Sequence, residues 1–302
     1  MDCFHPVYID NPDNLTDLNG TQYFKIPVPC GRCAACIVNC CDQWRVRLQV
    51  ENDSALSSWF VTLTYNDECL HFETCTDSFG NSFVAPVVYL PDVQKFFKRL
   101  RKKFPESPIR YFLVSEYGPN TFRPHYHAII FNLPFSSGGD TLDHFKCSSA
   151  IREVWNLGNV RLDPVTYGRI SYVTKYMTCL TELPEGLPKP FRLMSRRPGI
   201  GFDYFNKTDL ISWHRRNLIN YYPSGQFKLS LPRYFKDKIF DDSMKIEIRE
   251  QTLNYLQNEK KYYNRTRAQH LGFCCESDYA ESKRRQFERK FNERMRKNRN
   301  DI

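Results

Sequence analysis

Two apolar runs around a polar turn constrain this chain more than any other stretch: Arg110-Tyr-Phe-Leu-Val-Ser-Glu-Tyr-Gly118 and Arg123-Pro-His-Tyr-His-Ala-Ile-Ile-Phe131. Such a pattern folds as a β-hairpin. The first strand ends in Glu116 and the second begins His125-Tyr126-His127. Side chains two apart on a strand project to the same face, so both imidazoles point the same way. Glu116, one strand over, is close enough to complete a metal site with them.

Neutral imidazoles and a carboxylate leave open positions on a divalent ion, which can then polarise a phosphate oxygen. Hard phosphate oxygens favour Mg²⁺ or Mn²⁺ there. A nucleophile is available downstream, where Tyr172-Val-Thr-Lys175-Tyr176 places two tyrosines at helical spacing beside a lysine. Glu116, His125, His127, Tyr172, Lys175 and Tyr176 together are expected to form a metal-assisted DNA-nicking centre.

The 302 residues carry 43 Lys+Arg against 34 Asp+Glu, a net +9 that favours a polyanionic partner. Aromatic residues make up 15% of the chain, and rings interleaved with cations suit stacked single-stranded bases. No apolar run approaches the ~20 residues that cross a bilayer, so a soluble protein without a membrane partner is expected.

In chain order, residues 1–29 hold turn formers and are read as an irregular arm. Cys30-Gly-Arg-Cys33-Ala-Ala-Cys36 and Cys40 then follow, part of a run with five of the twelve cysteines between positions 30 and 41. Thiolates so spaced can wrap a structural Zn²⁺, partly match an iron–sulfur pattern, or are free thiols at a helix start. Residues 42–51 are read as a helix with Trp44, Leu48 and Val50 inward and Arg45, Arg47 and Glu51 outward. Residues 59–65 are a strand, and 66–88 a long connection.

After Pro91 comes a helix with Val93, Phe96, Phe97, Leu100 and Phe104 on its apolar stripe. Its basic faces, with Lys95, Lys98, Arg99 and Lys102, are expected to track phosphates, as are Arg123 and the basic loop at Arg196-Arg197. Helical periodicity returns at 142–155 and 169–180, around a short strand at 159–163. Residues 221–234 look like a hairpin followed by a docking segment. Lys283 to Arg299 holds nine basic residues and two glutamates, a solvated helix or tail that could touch nucleic acid. The order of elements suits an α+β domain with an antiparallel sheet covered by helices. The expected segments are a Cys-rich 1–57, a nickase core at 58–182, an accessory region at 183–241 and a basic helical tail at 242–302.

His125-Tyr-His127 resembles the His-hydrophobic-His motif of the HUH endonucleases. Glu116 is similar to the third metal ligand of viral members, Thr62-Leu-Thr-Tyr65 to their first motif, and Tyr172-Val-Thr-Lys-Tyr176 to their two-tyrosine motif. With Pro29-Cys-Gly-Arg-Cys33, Arg197-Pro-Gly-Ile-Gly201 and Pro232-Arg-Tyr234, the chain resembles the replication initiators of gokushoviruses, small single-stranded DNA phages. The resemblance implies a five-stranded antiparallel sheet flanked by helices. It also implies nicking of single-stranded DNA at the viral origin through a 5′-phosphotyrosine, and rolling-circle replication in the host bacterial cytoplasm with host helicase and polymerase. Two other classes compete: a non-catalytic zinc-dependent nucleic-acid-binding protein, and an HUH relaxase or transposase.

Overall fold

Alternation along residues 58–64 sends Trp59, Val61 and Leu63 to one side of a strand and Phe60, Thr62 and Thr64 to the other. The first set belongs to a large apolar core, and Phe60 to a second core on the opposite side. A single sheet with a core on each face follows from that pattern.

The computed structural model describes residues 3–17, 20–118, 121–176, 183–224 and 227–300. Its elements begin with β1 (Val7–Asp10), β2 (Lys25–Val28), α1 (Ala34–Ser54), β3 (Ser58–Thr64), β4 (Phe72–Thr76), β5 (Ser82–Pro86) and α2 (Leu90–Lys103). There follow β6 (Arg110–Tyr117), β7 (Pro124–Phe131), α3 (Thr141–Trp155), β8 (Val160–Pro164), α4 (Tyr167–Tyr176) and β9 (Arg192–Met194). The remainder is α5 (Thr208–Asn217), β10 (Tyr221–Ser224), β11 (Phe227–Ser230), α6 (Arg233–Ile239), α7 (Asp242–Asn254), α8 (Lys260–His270) and α9 (Glu276–Asn300).

The chain divides into two compact units, Trp44–Asn206 and Met1–Gln43 with Lys207–Ile302. This division differs from the four segments expected from the sequence, because the two ends of the chain come together in one unit.

The unit Trp44–Asn206 holds a five-stranded antiparallel sheet in the order β8-β3-β7-β6-β9. Its central strand β7 is buried along nearly its whole length, as a strand covered on both faces must be. On one face α2 and α3 pack through Val93, Phe96, Phe97, Leu100, Ile151 and Trp155. Each such large side chain contributes roughly 1.5–3 kcal/mol by burial. The stripe on α2 falls where periodicity puts it, Pro91 sits in the first turn, and Arg101, Lys102 and Lys103 complement the negative end of the helix dipole. On the other face lie Leu48 of α1 and Ile170 and Val173 of α4, against Phe60, Phe112, Val114, Ile129 and Phe131.

Three local expectations change. The arm at 1–29 contains a β1–β2 hairpin, and the connection at 66–88 contains a β4–β5 hairpin. Both are short ladders whose turns dominate the sequence pattern. Glu51 is not solvent-facing but 4% exposed. It forms an ion pair with Arg110 and accepts the Gly201 N–H at 2.7 Å, while Arg110 also donates to the Pro198 carbonyl at 2.9 Å. Helix periodicity puts Glu51 one turn beyond Arg47, but it cannot show that an arginine from a distant strand end will meet it.

The helix expected over 169–180 is α4, and positions 177–182 lie outside the described residues. The α3–β8 turn clamps the end of β3, with the Thr64 N–H bonded to Asn159 and the Trp155 indole donating to the Thr64 carbonyl. A Cβ at Gly158 would lie 2.2 Å from that carbonyl oxygen, so only glycine permits this approach.

The other unit is mostly helical. Besides β1–β2 it holds a β10–β11 hairpin, as expected for 221–234, and the packed pair α8 and α9. The Pro232-Arg-Tyr234 segment opens α6. No described helix is long and apolar enough to cross a membrane.

Candidate active site

Strand register brings the motif together. Glu116 on β6 pairs directly with His125 on β7, and Thr62 and Thr64 on β3 pair with His127 and His125. Paired residues in an antiparallel ladder share a face, so Glu116, His125, His127, Thr62 and Thr64 form a polar end to the otherwise apolar face under α1 and α4. His127 is buried, with Nε2 3.0 Å from Glu116 Oε2 and Nδ1 3.1 Å from Thr62 Oγ1. A hydroxyl can donate or accept, so Thr62 holds the ring in either tautomer. Burial, and then the neighbouring His127, hold the His125 imidazole below the usual histidine range and favour its neutral, ligating form. A side chain at Gly118 would meet the His125 ring at 3.3 Å, which keeps that position small.

Tyr126 points to the opposite face, where its hydroxyl lies 3.1 Å from that of Tyr65 and accepts the Tyr89 N–H at 2.8 Å. Tyr65 donates in turn to Asp92, which His71 also meets at 2.7 Å. This buried network pins the backbone between the two histidines from behind, a role the sequence did not reveal.

Helix α4 packs on β6 and β7 and brings Tyr172 down onto the site. Its ring meets His127 edge-on at 5.4 Å and Phe60 at 6.0 Å between centroids. Lys175 follows in the next turn, half-buried. Tyr176 ends the helix, and its side chain lies outside the described ones.

The donor set fits a divalent cation: two imidazoles and a carboxylate on one face of adjacent strands, two of the three already at 3.0 Å. The three do not draw all their donor atoms within 4.8 Å of one another, however, and His125 is the member standing apart. That closer distance is met by Cys3, Cys30, Cys33 and Cys36. Cys40, expected in the thiol set, is not part of this group, and Cys3 takes its place.

The expected DNA contacts separate. Helix α2 covers the face of the sheet opposite to His125 and His127, so Lys95, Lys98, Arg99 and Lys102 do not border the site. The apolar stripe that defines α2 could pack on either face, and the sequence pattern does not choose between them. Arg123 is tied to Asp67 and the Tyr65 carbonyl, both at 2.5 Å, and braces the strand ends. Arg196 and Arg197 are exposed and line a cavity of about 470 Å³ with Arg101 and Arg110. That cavity lies at the start of β6, six residues or roughly 20 Å along the strand from Glu116.

Two basic residues that the sequence did not single out stand nearer. Arg161, Thr62, His127, Val114 and Arg192 lie in register across all five strands. Exposed arginines therefore end the row through His127 on both sheet edges, with Arg161 also 3.2 Å from Asp163. Only sheet order could have placed them there.

A five-stranded antiparallel sheet carrying this face is matched by sequence kinship. Residues 58–180 match a family of replication-associated proteins named for ORF2. The chain is 30% identical over 237 residues to the Replication-associated protein ORF2 of Spiroplasma virus 4, covering 72% of this chain and 69% of that one. It is 26% identical over 260 residues to the Replication-associated protein VP4 of Bdellovibrio phage phiMH2K, covering 77% and 76%. The Replication-associated protein ORF4 of Chlamydia phage 1 is 26% identical over 283 residues, covering 86% and 64%. No solved structure matches the chain. The chain belongs to the ORF2 family of replication-associated proteins. Its relatives named above are proteins of microviruses, in agreement with the gokushovirus resemblance of its motifs.

Proposed function

We propose that this chain is a phage replication initiator: a site-specific single-stranded DNA endonuclease and ligase acting in the infected host cell at the viral origin. The observation that carries the reading is Tyr172, whose ring lies edge-on to His127 at 5.4 Å above the face bearing Glu116 and His125. Kinship with phage replication-associated proteins supports the replication role.

Glu116, His125 and His127 would hold Mg²⁺ or Mn²⁺. When bound, the ion would polarise a non-bridging oxygen of the scissile phosphate. The chain's own groups position the strand and supply the nucleophile. A tyrosine of ordinary pKa ≈ 10 is phenolate about one time in a thousand at pH 7, a deficit of roughly 4 kcal/mol. Lys175 supplies a cation on the same helix that offsets part of it. The phenol oxygen forms a bond to phosphorus as the bond to the 3′ oxygen breaks. The phenolic proton is lost, and the departing 3′ oxygen takes one up. One phosphodiester replaces another, so rejoining needs no nucleoside triphosphate. Tyr176, one turn further on, is placed to cut the next copy while Tyr172 holds the old end. Host helicase and polymerase would unwind and extend.

Incubation with origin single strand and Mn²⁺ should yield a covalent protein–DNA adduct and a free 3′-hydroxyl. Tyr172→Phe/Tyr176→Phe should yield none. An undiminished adduct in that double variant, or no adduct with the native chain, overturns the proposal.

Arg161 and Arg192 would grip the backbone of the strand where it crosses the sheet edges. Arg192→Ala should weaken single-strand binding and reduce the slope of log K against log salt by about 0.7, one phosphate contact's share. Cleavage at saturating DNA should stay near its native rate. Fluorescence anisotropy over a salt series, alongside single-turnover cleavage, measures both.

A further inference from the structure

The four cysteines that converge in the unit formed by the chain's two ends are not explained by nicking chemistry. We propose that Cys3, Cys30, Cys33 and Cys36 form a structural tetrathiolate zinc site that staples the N-terminal segment to the start of α1.

Distances carry the case. Cys3 Sγ lies 3.8 Å from Cys33 Sγ, Cys30 Sγ lies 4.0 Å from Cys36 Sγ, and all four sulfurs fall within 4.8 Å of one another. Tetrahedral zinc with Zn–S bonds of about 2.3 Å requires sulfurs about 3.8 Å apart, whereas a disulfide requires about 2.05 Å. The sulfur pairs therefore stand at ligand spacing rather than bonding distance.

The surrounding backbone is shaped for thiolates. Cys30 Sγ accepts the N–H groups of Arg32 and Cys33, each at 3.4 Å, and Cys3 Sγ accepts that of Cys30 at 3.3 Å. Gly31, between the first two ligands of the Cys-Gly-Arg-Cys turn, has φ +75°, a conformation that turns two amides onto one sulfur and favours glycine. Cys33 and Cys36 flank the start of α1, where the positive helix end favours anions. Lys260, Lys283 and Arg284 line a cavity with Cys3, offsetting the two negative charges that a tetrathiolate zinc site carries.

The placement gives the metal structural work. Among the described residues, this unit has a small apolar cluster of Leu15, Ile26 and Leu253. Small cores often require a staple. Phe4, next to Cys3, packs edge-on against Phe287 of α9 at 5.3 Å, so fixing Cys3 also anchors the basic C-terminal helix. Cys40 lies one helical turn past Cys36, about 6 Å along the axis, beyond the span of one tetrahedral shell.

The full chain, purified without chelator, should carry about one zinc released by a thiol-specific mercurial, as four thiolates per ion require. His125→Ala/His127→Ala should keep that zinc, which separates this site from the nicking centre. Cys40→Ser should keep it and Cys3→Ser should lose most of it. Should Cys3→Ser fail to fold, cobalt(II) added to chelator-stripped native chain should give the thiolate charge-transfer band and intense visible bands of tetrahedral cobalt. Iron in place of zinc, no thiol-released metal, no such cobalt spectrum, or loss of zinc from Cys40→Ser but not Cys3→Ser would each overturn the assignment.

Discussion

Replacing His127 with alanine should lower Mn²⁺-supported cleavage of origin DNA by on the order of 10³-fold, with single-strand binding nearly unchanged. Losing a partner that merely orients a ligand commonly costs 10–100-fold in metal affinity or activity, and losing a ligand costs more. His127 holds three relations at once: Glu116 at 3.0 Å, Thr62 at 3.1 Å and the ring of Tyr172 at 5.4 Å. Removing it takes away a donor and the surface on which the tyrosine rests. Thr62→Val, which leaves the imidazole in place but removes its orienting hydroxyl, should fall in the 10–100-fold range. Raising Mn²⁺ should rescue Thr62→Val more than His127→Ala. Single-turnover cleavage across a Mn²⁺ titration checks this. Equal, small effects in both variants would detach His127 from the chemistry.

Glu51→Ala should destabilise the sheet-bearing unit by roughly 3–5 kcal/mol, the cost of stranding one partner of a buried ion pair. Glu51 is 4% exposed and serves both Arg110 and the Gly201 N–H. Its loss leaves Arg110 bonded to the Pro198 carbonyl without its carboxylate, and frees a buried amide. The effect should appear in urea unfolding of the intact chain. Glu51→Leu/Arg110→Met should recover much of it, since replacing both charges removes the unpaired one. A loss below about 1 kcal/mol for Glu51→Ala would show that the pair behaves like an exposed one.

These residues show where reading the sequence succeeds and stops. The strands of the central hairpin were legible because alternation and turn residues act over a few positions. The apolar stripe of α2 was legible for the same reason. The short β1–β2 and β4–β5 ladders were not, because four or five residues between turns carry little periodic signal. Glu51 read as exposed because helix periodicity is blind to a partner 59 residues away.

The sequence by itself determined that His125 and His127 share a face, since the pleat of any strand enforces it. It also determined that Tyr172 and Tyr176 lie one helical turn apart. Tertiary structure decided the rest. It settled which side of the sheet receives α4 rather than the basic α2, and so which aromatic ring meets His127. It placed Arg161 and Arg192 at the ends of the histidine row through strand order alone. It also replaced Cys40 by Cys3, because helical rise carries one sulfur away while chain reversal brings a distant one back. Local chemistry sets periodicity and facing; only the burial of two faces at once selects which distant groups meet.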